Sequence, residues 1–525
     1  MKVAMIGAGA VTWTRRLMHD LLKVPEFADF TYALTDISER NLSMAEQLCR
    51  RDVTANGFGA TIEATTDRRA ALKDADYVIC AIRQGGLEAF ATDIDIPLKY
   101  GIDQCVGDTI CAGGIMYAQR TIHAMLEFCR DIREVAKPGA LLLNYANPMA
   151  MNTWACNQYG GVPTIGLCHG VQGAHWQITR GIEQWAKKEG MLAADAKLHR
   201  SEVDVIAAGL NHQTWFTKIQ WRGIDFVPRL YELMSAVEDF QTAEKVRLDV
   251  LKRFGYYSTE SNGHLSEYLP WYRKRTGEIN KWIDLSSWIN GETGGYLRVC
   301  TEGRNWFETD FPNWLAEPAP KIAEQGRSEE HGSYIIEGLE TGRVYRGHFN
   351  VQNVNHITNL PNGCVIEIPG YVDKNGINMP VVGDLPLACA ATCSASARVQ
   401  QMGMEAAVKG DVMLLKQAML HDPLVGAVCD PEEVWQMTDE MLVAQAQWLP
   451  QYVANGSIKA AEDRLAAHER NGTRVRTVRT DGAARLHTKS IDEMRQNKDE
   501  HRRMAAASDK GKMTEEDRTP VAAAH

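Results

Sequence analysis

The stretch "KVAMIGAGAVTWTRR", residues 2–16, decides the fold. A continuous apolar run ends in glycines and gives way to a helical pattern, as a buried parallel strand leading into a helix does. The physics asks for a tight turn at Gly7. It also asks for close backbone approach to a pyrophosphate at Gly9, at the N-terminus of the next helix. Val11 and Thr12 stand where the full dinucleotide fingerprint has its third glycine. A G-x-G turn alone is a weak signal, but here the next strand, "FTYALTDIS", carries Asp36 at its end. An acidic side chain there accepts a ribose 2′-OH and repels a 2′-phosphate, which favours NAD over NADP. Asp36 has a second reading, as a cap for the helix that begins near Ser38.

Outward from the turn, apolar runs and helical patterns alternate. Residues 13–22 and 39–55 read as helices, and "ADYVICAI" (75–82) and "GALLLNYANP" (139–148) as buried strands. Between those strands lies a helix from about Gly114 to Ala136, stopped by Lys137-Pro138-Gly139. "VPTIGLC" is one strand more. The alternation predicts an α/β chain with a Rossmann-like, doubly wound parallel sheet, expected over residues 1–200.

A second, mixed α+β domain is expected over residues 201–455. Its "SEVDVIAAGLNHQTWFTKIQWRG" (201–223) reads as one long or broken strand. Helices dominate 228–340, a β-like block follows at 363–373, and helices run again from Cys389 to Trp448. No aromatic residue follows Tyr452, so 456–525 reads as a charged tail, flexible or lying on the surface.

Bulk properties narrow the function. A net charge of −10 argues against nucleic acid or a membrane surface as partner. No apolar run reaches the ~18 residues of a membrane span. The N-terminus does not read as a signal peptide, and twelve scattered cysteines lack a disulfide framework. Reduced thiols and a cytoplasmic location are therefore expected.

Polar residues crowd the carboxyl ends of the expected strands, where open parallel sheets bind ligands. They are Arg83 in "AIRQGG", Asn147 in "NYANPM", and Cys168 and His169 in "GLCHG". A second histidine, His212, follows in "GLNHQTWF". By spacing alone Cys168 and His212 are as readily a buried thiol and a structural ring, because no short-range ligand spacing links them.

Longer motifs are more specific. "GDTICAGGIMYAQRTI", "NPMAMNTWA", "GLCHGVQG", "GLNHQTWF", "GYYSTESNGHLSEYLPW" and "NLPNGCVIEIPGYVD" resemble the NAD- and metal-dependent glycosidases of glycoside hydrolase family four, nearest the α-galactosidase branch. The likeness runs to about residue 452. It implies NAD, and Mn²⁺ held by Cys168 and His212, with Asn147 touching the sugar. It also implies a small glycoside as partner and a homodimer or homotetramer. His169 stands where phospho-α-glucosidases of the family have an acidic residue, and an imidazole there could serve as the general acid. Tyr256 and Tyr257 are candidates for the base, and Glu260 is a rival. Arg83 and His264 are candidate sugar contacts. His264 and Glu267 would share a helical face, Glu267 as a polar partner of the site or as one member of an exposed pair.

The family chemistry departs from the usual two-carboxylate scheme. Oxidation at C3 makes the C2 hydrogen acidic. A base takes that proton, the aglycone leaves with help from an acid, water adds, and the hydride returns. An α-galacturonidase is the nearest alternative, with Arg83 reading a carboxylate. From other classes come a 2-hydroxyacid dehydrogenase and a non-catalytic NAD-binding regulator.

Overall fold

The computed structural model describes residues 1–275, 278–285, 291–475, 477 and 484–496. Among the described residues thirteen strands form one continuous sheet. They are β1 (Lys2–Ile6), β2 (Thr31–Thr35), β3 (Thr61–Ala64), β4 (Tyr77–Cys80), β5 (Leu141–Asn144), β6 (Thr164–Gly166), β7 (Asp204–Leu210), β8 (Gln213–Trp221), β9 (Ile224–Asp225), β10 (Tyr257–Ser258), β11 (Tyr345–Gln352), β12 (Val365–Asp373) and β13 (Gly376–Asn378). The order β3-β2-β1-β4-β5-β6 is parallel throughout. This is the doubly wound arrangement expected of a dinucleotide fold.

β1 shows why both faces must be covered. Val3 and Met5 face a core with Leu17, Leu21 and Ile335, while Ala4 and Ile6 face another with Met125, Phe128 and Ile132. A strand buried on both sides reads as an unbroken apolar run, which is how it appears in the sequence. The long helix on the second face begins earlier than expected and spans Cys111–Val135.

The second half does not build a separate sheet. It continues the first through antiparallel strands in the order β6-β11-β12-β7-β8-β10. The expected strand at 201–223 is a hairpin, β7 and β8, turned tightly at Asn211-His212. One transverse row crosses the junction: Gly166, Asn350, Glu367, Gly209 and Thr214. Along it Asn350 Nδ2 donates to Glu367 Oε1 at 3.2 Å, and the Thr214 hydroxyl donates to Glu367 Oε2 at 2.6 Å.

Part of the charged tail is ordered against the rest of the chain. Residues Ser457–Asn471 form a helix that buries Ile458 and Ala461. Arg464 grips Asp439 through both guanidinium branches at 2.7 and 2.8 Å. Further on, Ala484 is buried with Ile279 and Ile283, and its carbonyl accepts from the Thr293 amide. Two short apolar contacts and paired charges suffice to dock a segment with no aromatic residue. Residues 497–525 lie outside the described residues. Among the described residues no helix is long and apolar enough to cross a membrane.

Candidate active site

The glycine turn is dictated by its neighbours. Gly7 has φ +86°, and a Cβ there would stand 2.1 Å from the Ala81 carbonyl oxygen. The Gly7 and Ala8 amides donate to Thr35 O at 3.0 and 3.1 Å. The helix Val11–Leu22 that follows has no side-chain cap and no acidic residue in its first turn. Its first amides therefore form an open anion site.

Asp36 ties the glycine turn to the start of the next helix. Oδ2 accepts from the Gly9 amide at 2.7 Å, and Oδ1 accepts from Ser38 N at 2.8 Å, where Ser38 caps the next helix. A carboxylate has about four lone-pair sites, so two remain for a ribose. Val11 is placed otherwise. Its side chain is buried against Met44, Ala45 and Leu48, so only its backbone can meet a cofactor. Thr12 is half-buried in the first turn.

From this turn the cleft runs toward the end of β6. Trp13 lies 5.1 Å from the Tyr145 ring and 6.5 Å from the His169 ring, centroid to centroid. Beyond them Cys168, His212 and Glu260 converge, with one ligand atom from each lying within 4.8 Å of the others. Cys168 Sγ is 3.5 Å from Glu260 Oε1, and His212 Nε2 is 4.0 Å from that same oxygen. A second group of three, Asp108, His212 and His264, adjoins the first. His212 Nδ1 is fixed by the Thr109 hydroxyl at 2.7 Å, so Nε2 is the nitrogen aimed at Glu260. Asp108 accepts from Asn147 Nδ2 at 2.7 Å and from the Thr109 hydroxyl at 2.8 Å. The sequence-predicted residues Asn147, Cys168, His212, Glu260 and His264 thus share one wall.

The electrostatics of this wall call for a cation. Burial pushes the Cys168 thiol well above its usual range, with Glu260 adding to it. Burial, then Glu367, pushes the Glu260 carboxyl up to about 8. Burial also pulls the His212 imidazole well below its ordinary value. A neutral imidazole beside a thiol and a carboxyl that resist ionising alone is a donor set suited to a divalent metal, which would favour their ligating forms. No disulfide joins any of the twelve cysteines, and Cys168 alone among them is only partly buried.

Several expected residues stand elsewhere. Tyr256 rests against the main apolar core rather than in the donor cluster. Tyr257 is fully buried behind it, with its hydroxyl on Gln177 at 3.1 Å and its ring under Arg247. The tyrosine that does border the cluster is Tyr268, whose ring is 5.9 Å from that of His264. Glu267 is neither an exposed helical residue nor part of the cluster. It is fully buried, and its carboxylate accepts from the amides of Cys105, Val106 and Gly107 at 2.8–3.0 Å. Arg83 sits in a box of Phe90, Tyr117 and Tyr296, with its Nε and Nη1 buried and without hydrogen-bond partners. His169 is half exposed at the rim, its Nδ1 3.6 Å from Glu330 Oε1. Asp108, Tyr268 and Glu330 carried no individual signal in the sequence, although the first two lie inside the long motifs.

Known proteins share this arrangement of sequence and fold. The chain is 57% identical over 508 residues to an α-galactosidase of Rhizobium meliloti, covering 96% of this chain and 99% of that one. It is 31% identical to an α-galactosidase of Bacillus subtilis, covering 86% and 99%. A 6-phospho-α-glucosidase from gut microorganisms, solved in complex with NAD and Mn²⁺, shares the fold with a TM-score of 0.69 at 18% identity, over 86% of this chain and 99% of that one. Residues 2–183 match the family described as "Family 4 glycosyl hydrolase", and residues 207–425 match its C-terminal domain. On this evidence the chain belongs to family 4 of the glycosyl hydrolases.

Proposed function

We propose that this protein hydrolyses α-galactosides with NAD and Mn²⁺ as catalytic cofactors. The observation that carries the reading is the Cys168–His212–Glu260 donor set beside an open dinucleotide turn. The choice of sugar rests on the 57% identity to an α-galactosidase. When bound, NAD supplies reversible oxidation at the sugar C3 and the metal supplies Lewis acidity at the neighbouring oxygens.

The chain's own residues do the rest. The first turn of helix Val11–Leu22 holds the pyrophosphate, and Asp36 receives the ribose. Cys168, His212 and Glu260 hold the metal and leave room for sugar hydroxyls. Asn147, braced on Asp108, and His264 orient the ring. Glu260 was a rival for the base, but its Oε1 faces the two other donors, so we assign it to the metal. That leaves Tyr268 as the base on this wall for the C2 proton. His169 protonates the departing aglycone from the rim. We place the protein in the cytoplasm, where its thiols stay reduced, as a homodimer or homotetramer.

A second reading keeps the chemistry and changes the sugar. The unpartnered donors of Arg83 suit a carboxylate, as an α-galacturonide would present. One panel separates the readings: aryl α-galactoside, α-galacturonide and α-glucoside with NAD, Mn²⁺ and a reductant, run in D₂O. Galactoside turnover with deuterium at C2 of the product is expected. Turnover without deuterium would defeat the elimination route, and net NADH release with no sugar cleaved would indicate a dehydrogenase.

A further inference from the structure

Glu330 is a carboxylate the proposed chemistry does not use, and its placement is unusual. It is 3% exposed, and Oε2 has no hydrogen-bond partner. It occupies the N-cap position of the helix His331–Thr341, yet its side chain does not cap that helix. Instead Oε1 points to His169 Nδ1, 3.6 Å away.

The backbone around it is clamped from four directions. Ser328 N donates to Asp20 Oδ1 at 2.8 Å, and Gly332 N donates to the Tyr145 hydroxyl at 2.9 Å. His331 Nδ1 meets the Tyr345 hydroxyl at 2.7 Å, while its Nε2 accepts from Gln172 Nε2 at 2.6 Å. A segment so fixed holds its one unpaired side chain in a set direction. His169, by contrast, is half exposed and has no direct hydrogen bond to hold its ring among the described residues.

We propose that Glu330 is a positioning residue for His169, holding the imidazole with Nδ1 toward the carboxylate so that Nε2 faces the glycosidic oxygen. This rests on His169 being the acid, as proposed above. The present 3.6 Å is long for a hydrogen bond, and a small ring rotation on substrate binding closes it. The carboxylate then fixes both tautomer and orientation, as the acidic member of a catalytic triad does. In the acid step the Nε2–H bond breaks and an O–H bond forms as C1–O cleaves. The C1–O electron pair leaves with the aglycone. The neutral ring recovers its proton from the water that adds at C1.

The test compares the wild type, Glu330→Gln, Glu330→Ala and His169→Ala on α-galactosides ranging from dinitrophenyl, a good leaving group, to methyl, a poor one. His169→Ala should lose activity increasingly as the leaving group worsens. Glu330→Gln should follow the same trend, losing about tenfold or more in kcat on methyl galactoside and under about twofold on dinitrophenyl. The ¹⁵N signals of His169, assigned by their absence in His169→Ala, should report a ring protonated at Nε2 with its Nδ1–H held in a hydrogen bond in the wild type, and loss of that Nδ1 hydrogen bond in both Glu330 variants. Equal losses on all substrates, or an unchanged His169 signal in both variants, would overturn the positioning role. A flat series for His169→Ala would instead overturn His169 as the acid. Thermal unfolding midpoints of the two Glu330 variants separate either result from a folding defect.

Discussion

Gly170→Ala is the sharpest probe of the metal site. Gly170 begins the helix Gly170–Lys188, and a Cβ there would stand 1.7 Å from Glu260 Oε1 and 2.7 Å from its Cδ. Ordinary contact needs about 3.5 Å, so the carboxylate oxygen must retreat by about 1.5–2 Å. Metal–oxygen distances tolerate only about ±0.2 Å. The same oxygen is the one shared between Cys168 and His212, so one added methyl group removes the third donor without touching the other two. Loss of a supporting interaction at a metal site costs about 10–100-fold in affinity, and a ligand costs at least that. In energy this is about 1.4–2.8 kcal/mol. The fold should survive, since alanine favours a helix by up to about 1 kcal/mol over glycine and offsets part of the strain. Gly173→Ala is the matched control, three residues on in the same helix with nothing within 4 Å of its added Cβ. Electron paramagnetic resonance titration with Mn²⁺ measures the affinities directly. A Gly170→Ala protein that binds Mn²⁺ within twofold of the wild type would refute the placement of Glu260 in the donor set.

Other outcomes follow from the same geometry. Arg83→Gln should abolish galacturonide cleavage while sparing galactoside if Arg83 reads a carboxylate; equal losses would mean that it reads hydroxyls common to both. Asp36→Asn should weaken NAD binding by about 1.5–3 kcal/mol, measured by calorimetry, and narrow the preference over NADP. Unchanged selectivity between the two would remove Asp36 from the ribose site. Asp52 is fully buried among His19, Arg15 and Arg51. Despite the opposing cost of burial, hydrogen bonds from His19 and Arg15 and the Arg15 charge hold its carboxyl down at about 2. Its folded value lies below the unfolded one, so it contributes about 2 kcal/mol above pH 4 that fades as pH falls toward 2. Asp52→Asn should therefore lower the unfolding midpoint at pH 7 and flatten its decline in acid; a decline as steep as that of the wild type would refute this.

The parallel half was legible because β1, β2, β4, β5 and β6 are buried on both faces and so print as apolar runs between helices. The antiparallel half was harder. The turn Asn211-His212 has no glycine, so β7 and β8 ran together in the reading of 201–223. β11 has polar residues at Arg346, His348 and Asn350 that mask its alternation, although His348 and Asn350 are buried. The metal pair shows the same limit. Cys168 lies past the end of β6 and His212 in a hairpin turn, and only the sheet's continuation brings them together. Glu260 reads from the sequence only as a rival for the base, because its place beside the two other donors depends on the empty space that Gly170 leaves. Glu330 could not be found at all, since what singles it out is a buried carboxylate with one oxygen facing a ring and the other unpaired.

The transverse row Gly166–Asn350–Glu367–Gly209 has a mechanical consequence. β6 meets β11 through a single paired residue, and β12 meets β7 through another. Both pairs belong to this one row, which ends just before Cys168 on one side and His212 on the other. The β11–β12 hairpin is thus the keystone of an arch whose two piers carry one proposed metal ligand each. Local opening there would part the ligands and loosen the core that both piers share. The loaded metal would in turn clamp the arch, so occupancy and the stiffness of the sheet's midline should rise and fall together.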